Sequence, residues 1–364
     1  MKKYKSKNTF LDLRELFGEF GGGWYKILIL LGARGFGKTY GTQNYLFRQF
    51  FKKGRKFIWL RLKEPAVKAL LSNNAKDFFN STLLEKWKIT GVKVIGNNVY
   101  ITRGNPEDKT TYMEICKIMA LSTFYTMKGV DLQKDGNKKK VKEEFQKNFE
   151  RQTKKYYNIV LDEMNAEKAE KRTFDITYAY VNMIETITRN DLDRRLILTG
   201  NTLDEGSEIL SNCFEFIPEE FGIYKIYKKR TIIHYMESSE KYKEEKKKSF
   251  SGLLLANAST FTNEVDFKDQ DLIVGKDNKP IQSIIRFDKD KYYTLTDGVI
   301  SHKKIPKNSN IPVIALSPLI GGLPFYQDVA DDFISRVYMR LFKFDTRVSC
   351  VKFHADIRLL KGIK

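Results

Sequence analysis

Apolar positions in this chain fall in short runs separated by longer amphipathic stretches. KILILL (26–31) is the run of a buried strand, and TYGTQNYLFRQFFK (39–52) carries apolar residues at helical spacing. RKFIWLRL (55–62) reads as a second buried strand, and EPAVKALLSNNAKDFFNSTLLEKW (64–87) as one helix with Pro65 in its first turn. GVKVIGNNVYITRG (91–104) reads as a hairpin around Gly96-Asn97-Asn98, and YMEICKIMALS (112–122) as a further strand. YYNIVLDE (156–163) is a short apolar strand ending in two carboxylates. TFDITYAYVNMIETITRN (173–190) is helical, and RRLILTGN (194–201) is a strand ending in polar residues. Strands alternating with helices predict an α/β unit with a mostly parallel, doubly wound sheet as far as about Asn201.

The pattern then changes. YKEEKKKSFSG (242–252) has the composition of a linker, and IQSIIRF, KYYTLTDGVIS and IPVIALS after it are short β-like runs. QDVADDFISRVYMRLF (327–342) reads as a helix before a basic tail. The expected domains are 1–207, a linker or lid over 208–249, and a smaller α+β domain over 250–364.

Charge narrows the function classes. Lys and Arg number 65 against 45 Asp and Glu, a formal net charge of +20, while 41% of residues are hydrophobic and 13% aromatic. The chain therefore builds real cores and predicts a polyanionic partner: nucleic acid first, an anionic membrane surface second. No apolar run is long enough to span a bilayer, and the basic N-terminus lacks the apolar core of a secretory signal. Cys116, Cys213 and Cys350, like His234, His302 and His354, are scattered in sequence. They predict neither a disulfide framework nor a zinc site, and they fit a reducing cytoplasm.

GARGFGKT (32–39) fits G-x-x-x-x-G-K-[ST] through Gly32, Gly37, Lys38 and Thr39. Ala33, Arg34, Gly35 and Phe36 complete the loop. Glycines let backbone N–H groups wrap a phosphate, and the following helix adds its positive N-terminal end. Lys38 would reach the β- and γ-phosphates of ATP, and the Thr39 hydroxyl would ligate Mg²⁺. Asp162, ending an apolar strand, would complete the metal site, and Glu163 would polarise the attacking water. The adjacent Asp162–Glu163 pair resembles that of the motor branch of P-loop ATPases, which implies that the RRLILTGN strand lies between the P-loop strand and the LDE strand and that Asn201 would sense the γ-phosphate. A plain alternative for each is a glycine turn, a pair of strand-end acids and a turn asparagine.

GARGFGKTY, NIVLDE, IETITRN and LILTGN, in that order, resemble the DNA-packaging ATPases of φ29-type tailed bacteriophages. The resemblance covers most of the first 205 residues, and an arginine inside the P-loop, here Arg34, is usual in such motors. It implies an ATPase in a homopentameric ring on the capsid portal, driving double-stranded DNA into an empty capsid in the host cytoplasm. An accessory RNA scaffold is compatible with it. It maps a trans-acting arginine finger onto Arg189, though that position also suits an arginine capping a helix C-terminus. Arg61 matches the family's strand after the P-loop. Glu64 stands where a lysine is expected, with Lys63 one position earlier, so a coupling role for Lys63 does not carry over. The charged stretch before the LDE strand lies where the family keeps a DNA-gripping loop. Lys128, Lys138, Lys139 and Lys140 are the candidates, against a plain solvated loop.

The larger packaging motors carry an RNase H-like nuclease at the C-terminus. In the φ29 type that domain is a relic, so the C-terminal domain here is expected to be a degenerate RNase H-like fold. It would bind DNA or the portal without cutting. Asp288 and Asp290 flank an apparent turn, and Asp331 and Asp332 lie on a late helix, which fits no two-metal site. Two other readings stand beside the translocase: a nucleotide switch that binds nucleic acid without moving it, and another ring ATPase of plasmid transfer or partition.

Overall fold

A computed structural model of the 364-residue chain describes residues 11–19, 23–32, 36–128, 156–165, 174–188, 191–201, 207–237, 244, 248, 269–276, 278–288, 290–306, 310–318 and 323–361. The chain divides into two units, Met1–Thr202 with Pro218–Glu264, and Leu203–Ile217 with Val265–Lys364.

The first unit is built on a nine-stranded sheet. Its strands are β1 (Ile27–Leu31), β2 (Lys56–Arg61), β3 (Gly91–Ile95), β4 (Asn98–Thr102), β5 (Met113–Ala120), β6 (Tyr156–Leu161), β7 (Arg195–Gly200), β8 (Gly222–Ile226) and β9 (Thr231–Tyr235). They lie in the order β3-β4-β5-β2-β6-β7-β1-β9-β8. The central run β5, β2, β6, β7, β1, β9 is parallel throughout, and antiparallel hairpins close both edges. Leu28, Ile29, Leu30 and Leu31 all have 0% exposure, so successive side chains bury on opposite faces and both faces of the sheet are covered. That is why these strands read as unbroken apolar runs.

Helix α1 spans Leu13–Leu16, capped by the Asp12 carboxylate accepting from Arg14 N. Helix α2 (Lys38–Lys53) follows β1 and packs on β2 and β7. The single helix expected over 64–87 is instead three pieces: α3 (Glu64–Leu71), a 3₁₀ turn (Ser72–Ala75) and α4 (Ser81–Lys86). Asn73, Asn74 and Ala75 take φ of +50°, +56° and +55°, which ends α3, and the Asn80 side chain then caps α4. Helices α5 (Ser122–Lys128) and α6 (Ile176–Ile187) pack on each other.

Two further expectations are corrected. The stretch 208–249 is not simply a linker: 203–217 joins the second unit, and 218–237 returns to supply the β8–β9 hairpin of the first sheet. The basic tail after the late helix is itself a helix. The second unit holds a sheet of β10 (Ser283–Arg286), β11 (Tyr292–Thr296), β12 (Val299–Ser301), β13 (Val313–Ala315) and β14 (Lys343–Phe344), in the order β13-β10-β11-β12-β14. Helices α7 (Gln327–Tyr338) and α8 (Arg347–Lys361) accompany it. Phe353 of α8 is fully buried among Phe287, Tyr293, Phe333 and Phe344. Among the described residues no helix is long and apolar enough to cross a membrane.

Candidate functional site

The parallel strands all finish at one end of the first sheet, and the candidate residues gather there. The glycine-rich turn leaves β1 and enters α2 at Lys38. Gly37 takes φ +74°, which glycine adopts without strain. Gly32, at φ +153°, is hemmed in: a Cβ there would lie 2.8 Å from the Phe36 ring and 3.2 Å from Met236 Cβ. Ala33, Arg34 and Gly35 lie outside the described residues. The Lys38 ammonium is buried and donates to the Gly32 carbonyl oxygen at 2.5 Å, tying the ends of the turn together. Thr39 is exposed in the first turn of α2, beside the positive end of the helix dipole.

β7 lies between β1 and β6, as the sequence predicts. Asn201 follows β7, and its carbonyl accepts from Gly32 N at 3.1 Å, which pins the strand end to the start of the turn. Asp162 and Glu163 follow β6. Thr199 Oγ1, one strand away, donates to Asp162 Oδ1 at 2.5 Å and accepts from Glu163 N at 3.3 Å. Glu163 has φ +55°, uncommon for a residue with a side chain. That conformation turns the backbone immediately after the strand, so two adjacent carboxylates both reach the residue that ends β2.

That residue is Arg61. Its guanidinium forks over the acidic pair, Nη1 donating to Asp162 Oδ2 at 2.7 Å and Nη2 to Glu163 Oε2 at 2.5 Å. The Arg61 side chain is 19% exposed and that of Asp162 10%, so this pair is shielded from bulk water, whereas the Glu163 carboxylate is 35% exposed. One cation thus holds two adjacent anions together, and both Asp162 oxygens are engaged. The sequence matched Arg61 to a family position without giving it this role. The contact spans about a hundred residues of chain, and only the β2–β6 register brings it about.

Asn165, just beyond, is partly buried and carries both amide atoms without a hydrogen-bond partner among the described residues. It lies against Gly200, where an added Cβ would sit 3.4 Å from its Nδ2. Unpartnered polar atoms of this kind fit a polar ligand at this end of the sheet. Arg189, Lys138, Lys139 and Lys140 lie outside the described residues, and Lys128 ends α5 with its side chain outside them. Lys63 serves as N-cap of α3, with Glu64 in the first turn.

Residues 25–111 match the family model of the Podovirus DNA encapsidation protein (Gp16). The match runs from just before β1 through Arg61 to the turn before β5, and it stops short of Asp162. Two solved structures share the fold. "The Phi-28 gp11 DNA packaging Motor" is 14% identical at a TM-score of 0.61, covering 97% of this chain and 98% of that one. "The bacteriophage Phi-29 viral genome packaging motor assembly" is 17% identical at 0.58, covering 96% and 100%. No curated protein matches the sequence. The resemblance drawn from the four motifs thus agrees with a family model and with two structures of the same fold.

Proposed function

We propose that the chain is the ATPase of a viral genome-packaging motor, hydrolysing ATP to drive double-stranded DNA into a preformed capsid through a portal-bound ring. The observation that carries this reading is the strand order β6-β7-β1, which delivers Asp162, Glu163, Asn201 and the Gly32–Thr39 turn to one end of the sheet. The turn and the N-terminus of α2 receive the phosphates, and the Lys38 ammonium leaves the Gly32 carbonyl to contact them. Thr39 and Asp162 are the residues that would hold Mg²⁺, which supplies charge neutralisation on the phosphate oxygens. Glu163 takes the proton from the attacking water as its oxygen bonds to the γ-phosphorus and the γ-phosphorus–oxygen bond to the leaving ADP breaks, releasing phosphate, and Asn201 reports the result to β7. The Arg61 fork occupies one Glu163 oxygen, Oε2, and so restrains the orientation of the carboxylate toward the water.

Arg189 acts in trans as the arginine finger, and the ring is a homopentamer. Lys128, Lys138, Lys139 and Lys140 grip the DNA backbone by charge. The second unit is a degenerate RNase H-like domain that does not cut. In its favour, β10-β11-β12 form an antiparallel meander with β13 parallel to β10, and Asp331 and Asp332 face solvent.

The test is ATPase activity of the purified protein with and without double-stranded DNA and procapsids. Stimulation by both supports the motor, and turnover indifferent to both overturns it. Mixing Arg189→Ala with Glu163→Gln subunits tests the finger. Hydrolysis should reappear in mixtures although neither variant is active alone, and zero activity at every ratio argues against action in trans.

A further inference from the structure

The cysteines and histidines are scattered in sequence, but the fold of the second unit sets Cys350 and His354 side by side on one helix. Cys350 and His354 are one helical turn apart on α8, so both face the same way. The turn at residues 269–272 places Asp269 against them. The Asp269 carboxylate oxygen, the Cys350 sulfur and a His354 ring nitrogen all lie within 4.8 Å of one another.

We propose that Asp269, Cys350 and His354 form a zinc-binding site that staples the 269–272 turn to the C-terminal helix. His354 Nδ1 stands 3.6 Å from Asp269 Oδ2. That is too long for a hydrogen bond. It is close to the separation of about 3.4 Å that two tetrahedral ligands keep when each is about 2.1 Å from zinc. The three donors are a cysteine sulfur that binds as its thiolate, an imidazole and a carboxylate, a set of mixed softness that favours Zn²⁺ over Mg²⁺.

The surroundings are those of a built site. Asp269 Oδ1 accepts from Arg340 Nη1 at 2.8 Å, which leaves Oδ2 turned toward His354. A carboxylate ligand anchored through its other oxygen is the usual support for a bound metal. Arg340 adds no net charge, because its Nη2 is paired with Asp271 at 2.5 Å. Zn²⁺ with one carboxylate and one thiolate is likewise neutral. Cys350 is fully buried, while the Asp269 and His354 side chains are 17% and 25% exposed, so a fourth position can be held by water. The His354 ring is wedged edge-on against Phe344, which limits its rotation. Uptake is an exchange: the S–H proton leaves to solvent as the sulfur–zinc bond forms, with no redox change. The site lies in the second unit and contains none of the residues assigned to ATP.

The test uses full-length protein stripped with a chelator and then titrated with Co²⁺ and Zn²⁺. One equivalent of Co²⁺ should give a thiolate-to-cobalt charge-transfer band with the visible spectrum of a four-coordinate ion, and Zn²⁺ should bleach both. Zn²⁺ should raise the unfolding midpoint by about 5 °C. Cys350→Ala should abolish the charge-transfer band. His354→Asn, at a partly exposed position, keeps the thiol and should weaken uptake at least tenfold, which covers the case in which Cys350→Ala fails to fold. Absence of the charge-transfer band from the wild-type protein, or its persistence in Cys350→Ala, overturns the proposal. So does Zn²⁺ affinity unchanged in His354→Asn.

Discussion

The two sheets of this molecule both place carboxylates just past strand ends, with opposite results. In the first, β2, β6 and β7 are parallel, so Arg61, Asp162–Glu163 and Asn201 leave at the same end, where Arg61 meets the two carboxylates and the Asn201 carbonyl meets the Gly32 N–H. In the second, β10 and β11 are antiparallel, and Asp288 and Asp290 sit in the turn between them. There Asp288 Oδ1 accepts from the backbone N–H groups of Asp290 (2.9 Å) and Lys291 (2.8 Å), holding the turn together. A parallel sheet converges its strand-end chemistry, whereas a hairpin spends it on its own backbone.

The sharpest break in this contrast is at the parallel end. Glu163→Gln should lower ATP turnover by about 10²–10⁴-fold, the range lost with a positioned base, while ATP affinity stays near wild type. Lys38→Ala should lose affinity instead, since the phosphates lose their counter-charge. Fluorescent-nucleotide titration beside steady-state hydrolysis separates the two, and equal affinity loss in both would show that Glu163 has a different role.

Arg61→Ala removes the guanidinium that bridges the adjacent carboxylates of Asp162 and Glu163. The nucleotide-free protein should lose about 2 kcal/mol, less than a fully buried pair would cost because Glu163 is 35% exposed. Mg²⁺ should restore more stability to this variant than to wild type. Chemical denaturation with and without Mg²⁺ measures both, and an identical Mg²⁺ response would mean that the fork and the metal do not compete.

A smaller effect belongs to His234 on β9, whose pKa burial lowers to about 4 from an ordinary 6.5. Between those values the unfolded chain binds a proton that the folded chain refuses. Stability is therefore complete above pH 6.5 and falls as the pH drops toward 4, by at most about 1.4 kcal/mol per unit. His234→Leu should flatten that part of the wild-type slope in denaturation series at pH 7 to 4, and an unchanged slope would place the titration elsewhere. Smallest is the effect of Asp288→Ala on nucleic acid. Full-length protein with plasmid and Mn²⁺ should show no cleavage with or without the substitution. Nicking that Asp288→Ala removes would make the second sheet a working site after all.

Much of the first sheet was legible because strands buried on both faces have to be apolar throughout. ILILL, FIWL and NIVL could be little else once glycine-rich or polar segments bounded them. The break after Leu71 had a signal in Asn73–Asn74, since paired asparagines readily enter left-handed backbone, but the flanking helical periodicity outweighed it. The β8–β9 hairpin was equally visible as GIYKI and TIIHY around YKKR, yet the charge that follows drew the whole stretch into an apparent linker. In α8 the lysines and arginines hid apolar positions 351, 353 and 357. Of the candidate site, Lys38, Thr39, Asp162 and Glu163 could be nominated from local motif spacing, and the strand order brings their segments to one end of the sheet. Arg61 had no local signal, because its partners are set by which strands become neighbours.

The position of β1 in its sheet bears on how the protein is made. Its two neighbours are β7 (Arg195–Gly200) and β9 (Thr231–Tyr235), so neither edge of β1 is paired when it leaves the ribosome. About 165 further residues must emerge before the first edge is covered, and about 200 before the second. Between them the chain runs through 203–217, which belongs to the other unit. The glycine turn therefore cannot be closed by Asn201 and Met236 until most of the chain exists. A nascent chain cannot close that turn early, and truncated translation products that end before β9 should expose a sticky apolar strand to chaperones.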